Sequence, residues 1–356
     1  MKRVISLLLA FVMLFALAAC GLGGNGPIDP NDSGSAGSAS VEGDTGRTSY
    51  PVTVTDQLGR KVTIEQEPET LVSGYYISTS LLIALGLEDK LVGIEAKANS
   101  RNIYKLSAPQ IIDLPSVGTA KEFDLEGCAA LNPDLVILPA KLQSVIPSLE
   151  ELGFTVLAVN PEDKALLEEA VTLLGAATNT AGRAAELLAF HDKQLEPLTA
   201  ALSGTDTPSV YLAGNSAFLS VAGPKMYQNS LIEQAGGVNA AASITGDYWA
   251  EISYEQLLAW DPDYIILAAD AGYTVESVLV DENLQSCTAV KNGNVYQFPN
   301  AIEAWDSPVP SSILGSMWLA GVIHPDGYPA DNWKQAATDY YETFYGFIPN
   351  LDEPYA

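Results

Sequence analysis

From residue 71 onward, short apolar runs alternate with longer stretches of helical periodicity. Leu135-Val136-Ile137-Leu138 and Tyr264-Ile265-Ile266-Leu267 are continuous apolar runs. Runs of that kind form strands buried on both faces of a parallel sheet. Each follows a helical segment with the same punctuation: Asp124 to Asp134 ends in Asn132-Pro133-Asp134, and Ser253 to Asp263 ends in Asp261-Pro262-Asp263. Asp124 and Ser253 are helix-capping residues, Ser253 with Gln256 spells a capping box, and the prolines stop the helices. A second echo pairs Ser80 to Gly86 with Ser230 to Gly236. This weak repeat predicts two Rossmann-like α/β lobes with central sheets, over residues 50–160 and 204–356. Between them, Glu162 to Leu174 has the pattern of an amphipathic helix that Gly175 interrupts. A second helix, capped by Thr178 or Asn179, is expected to run to about Ala201 with Ala181, Ala184, Ala185 and Leu188 on one side. At 1.5 Å per residue it is roughly 30–35 Å long, so residues 161–203 form a rigid helical link beside a cleft.

The N-terminus follows a different pattern. Lys2 and Arg3 precede an apolar run from Val4 to Leu17, too short to span a bilayer, and Leu17-Ala18-Ala19-Cys20 follows. This resembles the lipobox of bacterial lipoproteins, which implies a signal peptide over 1–20, a lipid on Cys20 and a place on the extracytoplasmic face of a membrane. Residues 21–49, rich in Gly, Asn, Ser, Asp and Ala without apolar periodicity, are expected to be a disordered tether. The 44 acids against 17 bases, a formal charge of −27, leave no basic stripe for nucleic acid. Cys128 and Cys287 are expected to be buried free thiols.

Several landmarks in order resemble one family. They are Val54-Thr55-Asp56-Gln57-Leu58-Gly59-Arg60, Leu81 to Gly86 with Leu91-Val92-Gly93, Asn132-Pro133-Asp134, Ala235-Gly236-Gly237, Asp261-Pro262-Asp263, Ala289 to Tyr296, Trp318-Leu319-Ala320 with His324-Pro325, and Phe344-Tyr345-Gly346. Together they resemble the periplasmic binding proteins for ferric siderophores, haem and cobalamin. The resemblance implies a monomeric substrate-binding lipoprotein of an ABC importer. Such a protein would capture a metal chelate and deliver it to a permease with its cytoplasmic ATPase. The family often carries a Glu in the first helix that pairs with a permease Arg; here that position is Ser80. Glu233 is the candidate docking acid of the second lobe.

In open α/β sheets a ligand sits beyond the carboxyl ends of the strands. Those ends supply Tyr75, Tyr76, Lys97, Arg101, Lys121, Tyr248, Trp249, Tyr273 and Trp305 as candidate ligand-binding residues. Tyr75, Tyr76, Trp249 and Trp305 would form walls for a flat or macrocyclic ligand, and Lys97, Arg101 and Lys121 would face its negative groups. An iron chelate is the expected cargo, with cobalamin or haem as alternatives. A ligand-presenting sensor would use the same fold. His191 and His324, the only histidines, do not make a bare-metal site. No elbow, zinc or phosphate-loop motif points to an enzyme, and no cofactor is called for.

Overall fold

The computed structural model describes residues 47–246 and 249–351. The Cys20 anchor, most of the tether and Tyr248 therefore lie outside the described residues. The first lobe opens with a hairpin, β1 (Val52–Thr55) and β2 (Lys61–Ile64), then runs β3 (Leu71–Ser73), α1 (Tyr76–Ala84), β4 (Leu91–Gly93), α2 (Asn102–Ser107), α3 (Leu125–Leu131), β5 (Leu135–Pro139), α4 (Ile146–Glu151) and β6 (Thr155–Val159). The link is α5 (Lys164–Ala177) and α6 (Ala181–Ala201). The second lobe follows as β7 (Ser209–Ala213), β8 (Ser220–Val221), α7 (Tyr227–Gln234), β9 (Val238–Asn239), β10 (Ala250–Glu251), α8 (Tyr254–Trp260), β11 (Tyr264–Leu267), α9 (Val275–Leu279), α10 (Thr288–Asn292) and β12 (Val295–Gln297). Two long helices, α11 (Ser312–Ile323) and α12 (Ala330–Tyr345), close the chain.

The first sheet is parallel in the order β4-β3-β5-β6. In the second, β9, β7, β11 and β12 are parallel, while β8 and β10 add an antiparallel edge. Both central strands, β5 and β11, are the apolar runs of the sequence repeat, and all but the first residue of β11 is buried.

The repeat has a structural cause. Asp124 and Ser253 accept the backbone N–H three residues on, and Asn132 and Asp261 end the helices at φ 48° and 42°. Asp134 then takes the backbone and hydroxyl donors of Thr70 at 2.9 Å, locking the start of β5 to β3. Asp263 does the same with Ser209, at 2.8 and 2.9 Å, for β11 and β7. Only the Ser253 half of the expected capping box is made among the described residues. The Asp56–Arg60 landmark is structural too. Asp56 is buried, caps its own turn, holds Arg60 at 2.6 Å and accepts Ala158 N–H, which ties the hairpin to β6.

Gly175 does not interrupt the first link helix; α5 passes through it. A Cβ there would stand 2.6 Å from the Ala184 Cβ, so glycine is what lets α5 lie flat on α6. The break comes instead at Asn179, which adopts φ 62°. The lobes are joined by more than the link, because α12 returns to pack on α1 of the first lobe. Tyr345 Oη donates to Ser80 O at 3.2 Å, and the Arg183 guanidinium of α6 lies 4.5 Å over the Phe344 ring. One apolar core continues through α1, α6, α11 and α12. Cys128 and Cys287 are buried and free. Among the described residues no helix is long and apolar enough to cross a membrane.

Candidate ligand-binding cleft

The carboxyl ends of both sheets face a cleft made of two cavities, about 960 and 540 Å³ in volume, that share Tyr76, Asn215 and Ser307 as a common wall. Gly74 delivers the chain from β3 into this wall, since a Cβ there would sit 2.8 Å from a Leu138 methyl. Tyr75 then stays extended at φ −150°, and α1 starts at Tyr76 without a side-chain cap. The two rings meet edge to face, centroids 5.2 Å apart. Burial pushes the Tyr76 hydroxyl up to about 12, so both tyrosines remain neutral donors.

The larger cavity is walled by Tyr75, Tyr76 and Trp249, with Tyr227 and Gln228 at its back. Trp249 lies flat on Gly214, where a Cβ would stand 3.0 Å from the indole. Asp306, 3% exposed, is a carboxyl in this wall that accepts Ala269 N–H at 3.2 Å. Burial raises it to about 7. The smaller cavity is lined by Arg101, Asn102, Asn300 and Glu303. The Arg101 guanidinium stands 4.1 Å above the Tyr76 ring.

Four predicted residues stand otherwise than expected. Lys97 and Lys121 are exposed and line neither cavity; Lys97 occupies a left-handed turn at φ 69°. Tyr273 supports the wall from behind, donating to Gly214 O at 2.6 Å and meeting Phe218 edge-on. Trp305 is fully buried, not a wall. Its indole N–H donates to Tyr341 Oη at 2.8 Å and its ring meets Trp333. The cause is Gly315, whose missing Cβ would lie 2.2 Å from Trp305 O, so the loop is drawn down onto α11. Ser80 is also interior. Its hydroxyl donates to Glu303, which takes a second donor from Ser311 at 2.6 Å. Glu233 is exposed on α7 and accepts from Asn229 at 2.9 Å.

The expected collection of bases is balanced by acids. Lys141 pairs with Glu162 at 3.2 Å, Lys164 pairs with Glu168, and Arg101 lies 3.5 Å from the buried Glu95. Glu95, Glu303 and Asp306 carry no motif in the sequence, although the last two flank the Trp305 expected in the wall. His191 is buried, its Nε2 2.8 Å from Pro310 O, and burial lowers it to about 4; it is a structural neutral imidazole. Among the described residues, no three His, Cys, Asp or Glu converge to hold a metal ion.

A sequence model described as periplasmic binding protein matches residues 71–302. The molybdate-binding protein MolA of Haemophilus influenzae is 26% identical over 321 residues, 82% of this chain and 90% of that protein. An uncharacterized ABC transporter substrate-binding lipoprotein of Bacillus subtilis, YvrC, is 26% identical over 91% of this chain and 96% of its own. The Fe(3+)-citrate-binding protein YfmC of the same organism is 29% identical over 66% of this chain and 77% of its own. A solved periplasmic solute-binding protein from Veillonella parvula superimposes with a TM-score of 0.73 at 26% identity, covering 84% of this chain and 94% of that one.

Proposed function

The chain belongs to the periplasmic binding protein family, and from that premise we propose that its cleft captures a metal chelate, with a ferric chelate as the cargo. It is a substrate-binding protein of an ABC importer, not an enzyme. The observation that carries the chelate reading is the cleft itself. A cavity of about 960 Å³ walled by Tyr75, Tyr76 and Trp249 suits a ligand of many atoms. A neighbouring cavity of about 540 Å³ offers Arg101 to a carboxylate or catecholate. A complexed metal brings its own donors, so the protein needs none of its own.

The family's mode of action completes the proposal. Cys20 would anchor the protein by lipid on the outer face of the membrane. The protein would act as a monomer, and Glu233 would meet the permease. Cys20→Ala should release the protein into the soluble fraction; unchanged membrane retention would contradict the anchor.

The relative named for molybdate favours a second, smaller cargo, a tetrahedral oxoanion at Arg101. Melting curves with ferric citrate, a ferric catecholate, haem, cobalamin and molybdate separate these readings, because a ligand at a hundred times its Kd stabilises the fold by about 2.7 kcal/mol. A rise with a ferric chelate supports the proposal. A rise with molybdate alone overturns it.

A further inference from the structure

Behind Arg101 lies a carboxylate whose partners are unequal. Glu95 follows β4 and is 5% exposed. Its Oε2 accepts from Thr79 Oγ1 at 2.6 Å and its Oε1 from Tyr104 Oη at 2.8 Å. Arg101 is held more loosely. Its Nε lies 3.5 Å from Glu95 Oε1, within ion-pair range, yet is buried and makes no hydrogen bond. The side chain keeps 34% exposure at the smaller cavity, with the guanidinium laid on Tyr76. The two hydroxyl donors fix the carboxylate, while the arginine is attracted to it without being locked.

We propose that Glu95 is the counter-ion of Arg101 and that an anionic group of the ligand replaces it. Glu95 is then a positioning residue that decides how much of the Arg101 charge a ligand receives. The inference rests on the reading of the cargo as an anionic chelate. An incoming carboxylate can take two parallel N–H bonds from the guanidinium, which Glu95, already occupied by Thr79 and Tyr104, does not.

The exchange has a proton balance. Once Arg101 turns to the ligand, the groups left against the Glu95 carboxylate are the hydroxyls of Thr79 from α1 and Tyr104 from α2, and neither is positive. A buried carboxylate deprived of its cation takes a proton from solvent. One ligand anion and up to one proton enter together, and nothing is oxidised or reduced. Burial already holds the Glu95 carboxyl above the ordinary range. Anion binding should therefore strengthen as pH falls.

The test uses the full chain and two variants. Carboxyl-detected ¹³C titration of the ligand-free protein should show the Glu95 midpoint rising by about one unit or more in Arg101→Gln. Calorimetry with ferric citrate, in two buffers of different ionisation heat, should show proton uptake in the parent. Glu95→Gln should abolish that uptake and tighten binding about ten-fold, with a steeper salt dependence. A purely structural Glu95 would instead make Glu95→Gln weaken binding and leave the proton count unchanged. An unmoved Glu95 midpoint in Arg101→Gln, or uptake that persists in Glu95→Gln, overturns the proposal. If the midpoint moves but ferric citrate does not bind, the pairing stands and the reading of the cargo fails.

Discussion

The lobes meet in two places that use similar residues to opposite ends. At the back, where α1, α6, α11 and α12 converge, Trp305 has given its N–H to Tyr341, and Glu303 has taken a hydroxyl on each oxygen. At the front, Arg101 stands over Tyr76 with a loose ion pair and an unbonded Nε. Aromatic rings and charges are present in both. Where the Trp305 indole and the Ser80 hydroxyl are paired the lobes are joined, and where the Arg101 Nε is left unbonded beside a cavity a ligand has something to meet. Residue type alone does not tell the two apart.

The sharpest way to break this contrast is at the back. Trp305→Ala removes a fully buried indole and should destabilise the protein by about 3–5 kcal/mol, measured as a lowered urea midpoint. A stable variant with selectively weakened ligand binding would return Trp305 to the cleft wall.

Next in size is Asp306. Burial lifts its carboxyl from the ordinary 3.8 to about 7. Between those limits the unfolded chain loses its proton while the folded one keeps it. The stability is thus fully present below about pH 4 and is lost as pH rises to about 7. Asp306→Asn should remove that loss, gaining on the order of a few kcal/mol at pH 8 and little at pH 4. Urea midpoints across that range check it; a gain equal at both ends would assign the effect to packing. His191 opposes this trend. Lowered to about 4, it contributes stability that is present above its ordinary 6.5 and lost as pH falls through 4.

At the front, Arg101→Ala should weaken binding of a ferric chelate by ten- to a hundred-fold, about 1.5–3 kcal/mol, and lower the melting temperature less at acid pH, where the Glu95 it leaves unpaired is protonated. The smallest effect concerns motion. The core continues through α1, α6, α11 and α12, so scattering curves with and without ligand should nearly superimpose. A large fall in the radius of gyration would mean that the back opens.

Much of the scaffold was legible, because period and punctuation are local. The runs at Leu135 and Tyr264, the caps at Asp124 and Ser253, and the breaks at Pro133 and Pro262 all act within a few residues. Gly175 misled because a glycine that ends a helix and one that lets two helices touch look alike in sequence; the contact with Ala184 is what distinguishes them. The site was legible by position more than by role. Strand ends identified Tyr75, Tyr76, Arg101 and Trp249 as residues beside the cleft. They could not reveal that Trp305 turns inward at Gly315, or that Glu95 stands behind Arg101, since both contacts fold back across irregular loops whose path no period fixes.

Calorimetric titration of the parent and Arg101→Ala with ferric citrate and a ferric catecholate tests the central claim most directly. The account expects sub-micromolar, one-to-one binding of one such chelate to the parent, weakened ten- to a hundred-fold in the variant at a temperature where both proteins stay folded. Equal affinity in both proteins, or no binding of any chelate beside tight binding of molybdate, would contradict it.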